Sequence, residues 1–497
     1  MLNQLIYEAD MTMTENGAAT YRTTGSDCLD LFAAAGALRR ADDEEIIIRF
    51  VRAYTEDPDI AMRILFYARD VRGGLGERRI FRTILRWLAE NEPVSAEKNL
   101  PLIAEYGRYD DLFVLIGTPC EAPVIRLVRA QLEKDLQALE TDGEVSLLAK
   151  WMPSVNASSP ETRRLAKHLA RALGYDDAVY RRALTALRAR IRIIENDLRR
   201  RDYTFAYEKQ PSRALFKYKK AFMRNDRTRY QEFRAAVNAG TSQMHAGHVA
   251  PYELVEPYLT GAWFHTGTSF MKTITDEEKA VLNATWASLP DYGNDGNALA
   301  VIDTSGSMYW GGRPMPAAVA LSLGLYFAEH NKGAFAGHFI EFSAQPTLIR
   351  LKGETFADRL RYAASFNEIA NTNLEAVFDL ILRTAVKNHL PQEELPSSLI
   401  IISDMEFDAC VNHASETNYE NARRKYAARG YTLPQIVFWN VASRGGHQPV
   451  RQNEQGAILV SGAEPRLFAM VAGGRNLSPY GFMMDILERE RYAGITA

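Results

Sequence analysis

Two apolar runs in this sequence each end in a carboxylate. Ala298-Leu299-Ala300-Val301-Ile302 stops at Asp303, and Ser305 and Ser307 follow around Gly306. Leu399-Ile400-Ile401-Ile402-Ser403 stops at Asp404, and Thr372 opens the helical stretch TNLEAVFDLIL. Two carboxylates and three hydroxyls, with no His or Cys among them, are oxygen-only donors. Such a set selects a hard cation, Mg²⁺ first, with Mn²⁺ or Ca²⁺ as alternatives. Two negative charges balance the ion, and neutral hydroxyls leave it electrophilic. A vacant position on it would favour an acidic oxygen from outside. The competing reading is local: Asp caps helices and Ser makes turns.

Those side chains meet only if the elements beneath them are arranged for it. From Ala298 onward, strand-like and helix-like segments alternate, as in ALAVID, PAAVALSLGLYFAEH, SSLIIISD, ENARRKYAARG and QIVFWNVA. AFAGHFIEFS and PTLIRLKG look like a strand pair. This order predicts a doubly wound, Rossmann-like α/β sheet over residues 298–497, with its apolar strands covered on both faces. Ligands of such sheets bind beyond the carboxyl ends of the strands, where strand order reverses. Neighbouring VID and IISD strands would bring both carboxylates to that point.

The preceding half reads differently. Residues 1–27 are polar and turn-rich and are expected to form an extended arm. Residues 28–259 show helical period nearly throughout, with proline and glycine at the segment ends, as in PETRRLAKHLARALG. Stacked helical hairpins follow from this, a degenerate helical solenoid with no clean fixed-period repeat. Residues 260–297 are loop-rich and read as a connector.

The set Asp303, Ser305, Ser307, Thr372 and Asp404 resembles the metal-ion-dependent adhesion site of a von Willebrand factor A domain. All five residue types match; the departure is Ala370-Asn371-Thr372 where that family usually has Gly-Gly-Thr. The segments ENGAATYRTTGSDCLDLF, ARDVRGGLGERRIF, YGRYDDL, LLAKWMPS and KYAARGYTLPQIVFWNV resemble an uncharacterised family, domain of unknown function 2828. That family is similar in organisation to TROVE proteins of the Ro type. The resemblance implies HEAT-like repeats in a ring or arc joined to a von Willebrand factor A domain. It also implies RNA binding and a ribonucleoprotein.

Charge distribution points the same way. The net charge is −3, yet residues 181–234 hold 17 Lys and Arg against 6 Asp and Glu, leaving −14 on the rest. Leu184, Leu187, Ile191, Ile194 and Leu198 form an apolar seam, with Arg181, Arg188, Arg192 and Arg199 in a narrow stripe beside it. The next stretch, KYKKAFMRNDRTRYQEF, interleaves cations with Phe216, Tyr218, Phe222, Tyr230 and Phe233. A basic stripe beside aromatics can hold phosphates and stack bases. The nucleic-acid candidates are Arg188, Arg192, Arg199, Arg200, Lys217, Lys219, Lys220 and Arg224. The alternative is a solvated helix face whose aromatics pack inward. RDVRGGLGERR is a second cationic stretch, read first as a helix–helix turn and second as a phosphate contact.

Several chemistries lack their residues. No P-loop is present. Cys28, Cys120 and Cys410 are scattered, so neither a zinc site nor a disulfide framework is expected. His245, His248 and His265 lack zincin spacing. A haloacid-dehalogenase-like phosphatase would use Asp303 as nucleophile with Asp404 and Asp408, but Ser305 stands where its general acid belongs. No catalytic residue is assigned, and a binding protein rather than an enzyme is expected. Its expected partners are RNA and, at the metal, an acidic protein ligand. An adhesion or scaffold module without RNA is the alternative. No signal peptide or membrane-length apolar run is read, and the cytoplasm is the expected location.

Overall fold

The computed structural model describes residues 1, 9–191, 193–239, 241–242, 249–260, 271–292, 297–309, 313–342, 345–366, 372–409, 416–471 and 477–497. Arg192, His245, His248, His265, Ala370, Asn371 and Cys410 lie outside them. The chain is α plus α/β: helices fill the first half, and a mixed, mainly parallel sheet organises the second.

Six strands make that sheet: β3 (Ala298–Asp303), β4 (His338–Phe342), β5 (Thr347–Arg350), β6 (Ser398–Ser403), β7 (Gln435–Asn440) and β8 (Ala457–Ser461). Their order is β5-β4-β3-β6-β7-β8. All neighbours run parallel except β4 and β5, the expected strand pair, which is antiparallel. From β3 the chain passes outward to β4 and β5, then returns to the other side of β3 as β6. Strand order therefore reverses between β3 and β6. Every residue of β3 is buried, as a strand covered on both faces requires. Helix Pro316–His330 lies close against it. A Cβ at Gly324 would fall 2.2 Å from Ile302 Cδ1, so only glycine permits that approach.

The helical half is not a separate body. One apolar core runs from Cys28 through Leu187 and on into Ala300, Ile302, Trp439, Phe482 and Tyr492. Helices Asp43–Glu56, Pro58–Arg69 and Arg79–Asn91 pack on one another in sequence. Helix Asp27–Ala34 sits on β8, where a Cβ at Gly36 would meet the Ser461 carbonyl at 2.5 Å. A buried ion pair locks the last residues onto these helices. Arg491 binds both oxygens of Asp70, one at 2.7 Å, and the Tyr492 hydroxyl donates to Asp70 at 3.1 Å.

Three expectations change here. The arm is not extended: β1 (Met11–Met13) and β2 (Ala19–Tyr21) pair as an antiparallel hairpin and lie along the α/β half. Three-residue strands are too short for alternation to register in sequence. The connector 260–297 contains helix Asp276–Ala287, started by a Thr275/Glu278 capping box. Its Trp286 stacks on Phe356 with ring centroids 3.7 Å apart, which ties it to the α/β half. Finally, the basic stretch divides: Leu184 and Leu187 join the main core, and the part after Ile193 does not. Ile194, Tyr207, Leu215, Phe222, Tyr230 and Phe233 form a small core of their own.

Candidate metal centre and basic module

Register decides how the two acids meet. Ile302 pairs with Ile402, so the next position sets Asp303 beside Ser403, and Asp404 follows one residue beyond. The Ser403 hydroxyl donates to Asp303 Oδ2 at 2.6 Å, and the Ser305 amide donates to Asp303 Oδ1 at 2.9 Å. Ser305 Oγ and Ser307 Oγ are 3.1 Å apart, and the Ser307 hydroxyl hydrogen-bonds Asp404. Asp303, Ser305 and Asp404 are buried, at 0%, 7% and 2% exposure.

Electrostatics at this point are unfavourable to two bare anions. Burial, then the charge of Asp404, pushes the Asp303 carboxyl up to about 7. Burial also raises Asp404, against the pull of the Ser307 hydroxyl, the Glu406 amide and Arg444. Arg444 reaches Asp404 Oδ2 at 3.4 Å, while the Asp303 hydrogen bonds above come from neutral donors. Two buried carboxylates with hydroxyls around them and excess negative charge fit a hard divalent cation. Among the described residues no group of three or more His, Cys, Asp or Glu offers a metal site. The donor set here is of another kind, half of it hydroxyl.

Thr372 lies at the same rim, and its hydroxyl is turned to the neighbouring loop. It donates to the Glu406 carbonyl at 2.6 Å and accepts from the Asn16 amide at 3.0 Å. Asp408 Oδ1 is 3.4 Å from it. The structure thus draws Asp303, Ser305, Ser307 and Asp404 together and sets Thr372 beside Glu406.

Sequence reasoning missed the rest of the rim. Ser403, which bonds Asp303, was passed over, although its place one residue before Asp404 on a neighbouring strand was the signal. Glu406 accepts from the Glu15 amide at 2.7 Å and pairs with His447 at 3.0 Å. Arg444 bridges Asp404 and Glu15, the latter at 2.5 Å. Arg40 lies near enough to Arg444 for their charges to repel. Hundreds of residues separate these groups in the chain, and no local pattern announces them.

The basic candidates divide. Arg188 is used internally: its guanidinium donates to Ala149 O at 2.8 Å, Met152 O at 2.6 Å and Ser154 Oγ at 2.7 Å. The predicted single arginine stripe is also interrupted. Helix Asp177–Ile191 ends before helix Ile194–Arg200 begins, with Ile193 extended between them. The Asn196 amide donates to the Arg188 carbonyl at 2.9 Å and holds the break. Lys219 is half-buried; burial lowers its pKa, while Glu278 opposes that shift. Arg199, Arg200, Lys217, Lys220 and Arg224 are exposed.

Most aromatics of the segment do not face solvent. Phe222 and Tyr230 are fully buried and Phe233 is 7% exposed. They surround Tyr207, whose hydroxyl donates to Asp226 at 2.9 Å. The expected base-stacking role fails for these three, because their rings pack with Ile194 and Leu215 as the module's core. Tyr218 remains half-exposed, its hydroxyl 3.1 Å from Glu195 and the Lys217 ammonium over its ring. RDVRGGLGERR is a turn between helices, as first read: Asp70 accepts from the Arg72 amide at 2.9 Å, and Gly74 lies 3.1 Å from the Asp70 carbonyl.

No helix among the described residues is long and apolar enough to cross a membrane. Residues 297–478 match the family described as Domain of unknown function (DUF7788). Over 97% of its length the chain is 29% identical to the uncharacterized protein L728 of Acanthamoeba polyphaga mimivirus, covering 88% of that protein. It is also similar to the crystal structure of the Deinococcus radiodurans RO (RSR) protein. That likeness has a TM-score of 0.36 and 13% identity, and covers 91% of this chain and 100% of that one. Residues 14–115 and 122–292 match a second model, and on that match the chain belongs to the family described as Domain of unknown function (DUF2828).

Proposed function

We propose that this protein is a divalent-cation-dependent binding protein. In this reading Asp303, Ser305, Ser307 and Asp404 hold the ion, Mg²⁺ first, with Thr372 reaching it through water. The observation that carries the reading is the convergence of two buried carboxylates and two serine hydroxyls at the point where strand order reverses. The oxygen donors, their order along the chain and the sheet suit a von Willebrand factor A type of domain. The proposed role of the ion is to hold a ligand rather than to transform one: the serine hydroxyls beside it are bonded to the carboxylates that would ligate it.

The second ligand surface in this reading is the basic module, with RNA as its partner. Exposed Arg199, Arg200, Lys217, Lys220 and Arg224 supply phosphate contacts, and half-exposed Tyr218 supplies one stacking face. Buried thiols at Cys28 and Cys120 suit a reducing, cytoplasmic setting.

Thermal unfolding with and without Mg²⁺ tests the first surface. Mg²⁺ should raise the midpoint of the wild-type protein and leave Asp303→Asn unmoved, because an ion that binds only the folded state stabilises it by mass action. Equal shifts in both proteins would reject the site.

A further inference from the structure

Residues 14–17, the turn of the N-terminal hairpin, stand over the rim just described. The Thr14 hydroxyl donates to Phe407 O at 2.6 Å, and the Glu15 amide donates to Glu406 Oε2 at 2.7 Å. The Asn16 amide group donates to Thr372 Oγ1 at 3.0 Å and to Glu406 O at 2.7 Å. Gly17 turns the chain with φ +85° and forms a bridge to Asp408. The Glu15 carboxylate lies 2.5 Å from Arg444, whose other nitrogen reaches Asp404 at 3.4 Å. A turn nearly 400 residues away in the chain thus places a carboxylate one guanidinium from the centre.

We propose that residues 14–17 are an internal ligand turn: Glu15 and Asn16 occupy the rim where an outside acidic protein side chain would dock, so that binding requires their displacement. The inference rests on the cation-binding reading above. The class of ligand follows from what is seated there. Arg444 holds a carboxylate, and Arg40 adds positive charge near Arg444 and Asp404. The contacts beside the turn favour an approaching backbone with an amide-bearing neighbour, as Asn16 shows. A protein turn meets that description.

The turn has the properties of a displaceable group. Glu15 and Asn16 are exposed on their outer side, whereas Thr14, Ala18, Ala19 and Tyr21 are buried and anchor the hairpin. Tyr21 exchanges backbone hydrogen bonds with Gln448 at 3.0 and 2.7 Å, so the strands hold while the tip is released. Tethering gives the turn a high effective concentration at the rim. The apparent affinity of an outside ligand is then reduced by the fraction of time the rim is open.

Mn²⁺ serves as the probe, read by water-proton relaxation on the full chain. At equal Mn²⁺ occupancy, Glu15→Ala/Asn16→Ala should give higher relaxivity than wild type, as water enters the rim that the turn covers. Acetate should lower the relaxivity of the variant by displacing that water and leave wild type unchanged. Equal relaxivity in the two proteins, with Mn²⁺ bound, would overturn the internal ligand and leave the cation site standing. Indifference of the variant to acetate would overturn the ligand class. Failure of either folded protein to retain Mn²⁺ would overturn the cation reading, and the turn's role with it. Should the double variant not fold, Glu15→Gln, which removes the carboxylate from Arg444 and keeps Asn16 on Thr372, carries the same comparison.

Discussion

The Ser403 hydroxyl donates to Asp303 Oδ2 at 2.6 Å across the boundary between β3 and β6. That bond fixes the carboxylate at the strand end and sets Asp404 one residue further out. The acids are thus offset along neighbouring strands rather than paired in register. The offset brings Asp303, Asp404 and the two serines of the following turn together at the strand ends.

From this geometry, removal of one charge should relieve repulsion in the absence of an added cation. Asp404→Asn is expected to unfold at the same or a higher temperature than wild type in EDTA, and to gain nothing from Mg²⁺. Scanning calorimetry in both conditions checks it. A variant less stable than wild type in EDTA would mean that Asp404 is needed for its hydrogen bonds rather than tolerated as a charge.

Asp70 is the electrostatic anchor between the chain's last residues and the helices. Burial pulls its carboxyl upward, but the Arg491 hydrogen bond and the Arg72 and Gly73 amides outweigh this and leave it below the ordinary carboxylate value. Asp70→Asn should cost about 3 kcal/mol at neutral pH, since it leaves a partly buried guanidinium with only the more distant Glu105 as anion. With the folded pKa depressed, Asp70's contribution is complete above the unfolded value of 3.8 and is lost as pH falls through the folded value. Urea unfolding from pH 7 to pH 2 should show wild type and variant converging at the acid end. A constant difference would remove the ionised carboxylate from the explanation.

The basic module separates structural from binding arginines. Lys217, Lys220 and Arg224 changed together to Glu should weaken binding of a single-stranded RNA more than tenfold and flatten its salt dependence, in keeping with about three lost phosphate contacts. Arg188→Ala should lower stability, through its lost bonds to Ala149, Met152 and Ser154, without altering the salt slope. Fluorescence polarisation across a salt series distinguishes them. The reverse pattern would place the phosphate surface on the Arg188 side.

Because the module has its own core, it should open by itself. Phe222→Ala is expected to cost the module about 3–5 kcal/mol. Hydrogen exchange should then speed up over residues 194–237, while β3 and β6 keep their protection. Uniform acceleration along the chain would show instead that the two cores unfold together.

The sheet and its acids were legible because strand ends are local facts. ALAVID and LIIISD carry both the burial pattern and the terminal carboxylate, and the two strands between them in the chain obey general rules of connection. Thr372 was placed at the right helix, but its hydroxyl orientation depends on Asn16 and Glu406, which no local pattern links. The hairpin escaped notice because its strands have three residues each and pair with the far half of the chain. In the basic stretch, charge was legible and aromatic orientation was not: KYKKAFMRNDRTRYQEF has the same composition whether Phe222 faces a base or a core. Arg188 misled for a related reason, since a helix stripe continues on paper through the break at Ile193.

Titration calorimetry with Mg²⁺ on the purified chain and on Asp303→Asn tests the central claim most directly. One ion per chain should bind wild type, and none should bind the variant at the same concentration. Heat-silent mixing with wild type, confirmed by absence of bound Mn²⁺ in a competing spin-resonance measurement, would contradict a cation between Asp303 and Asp404.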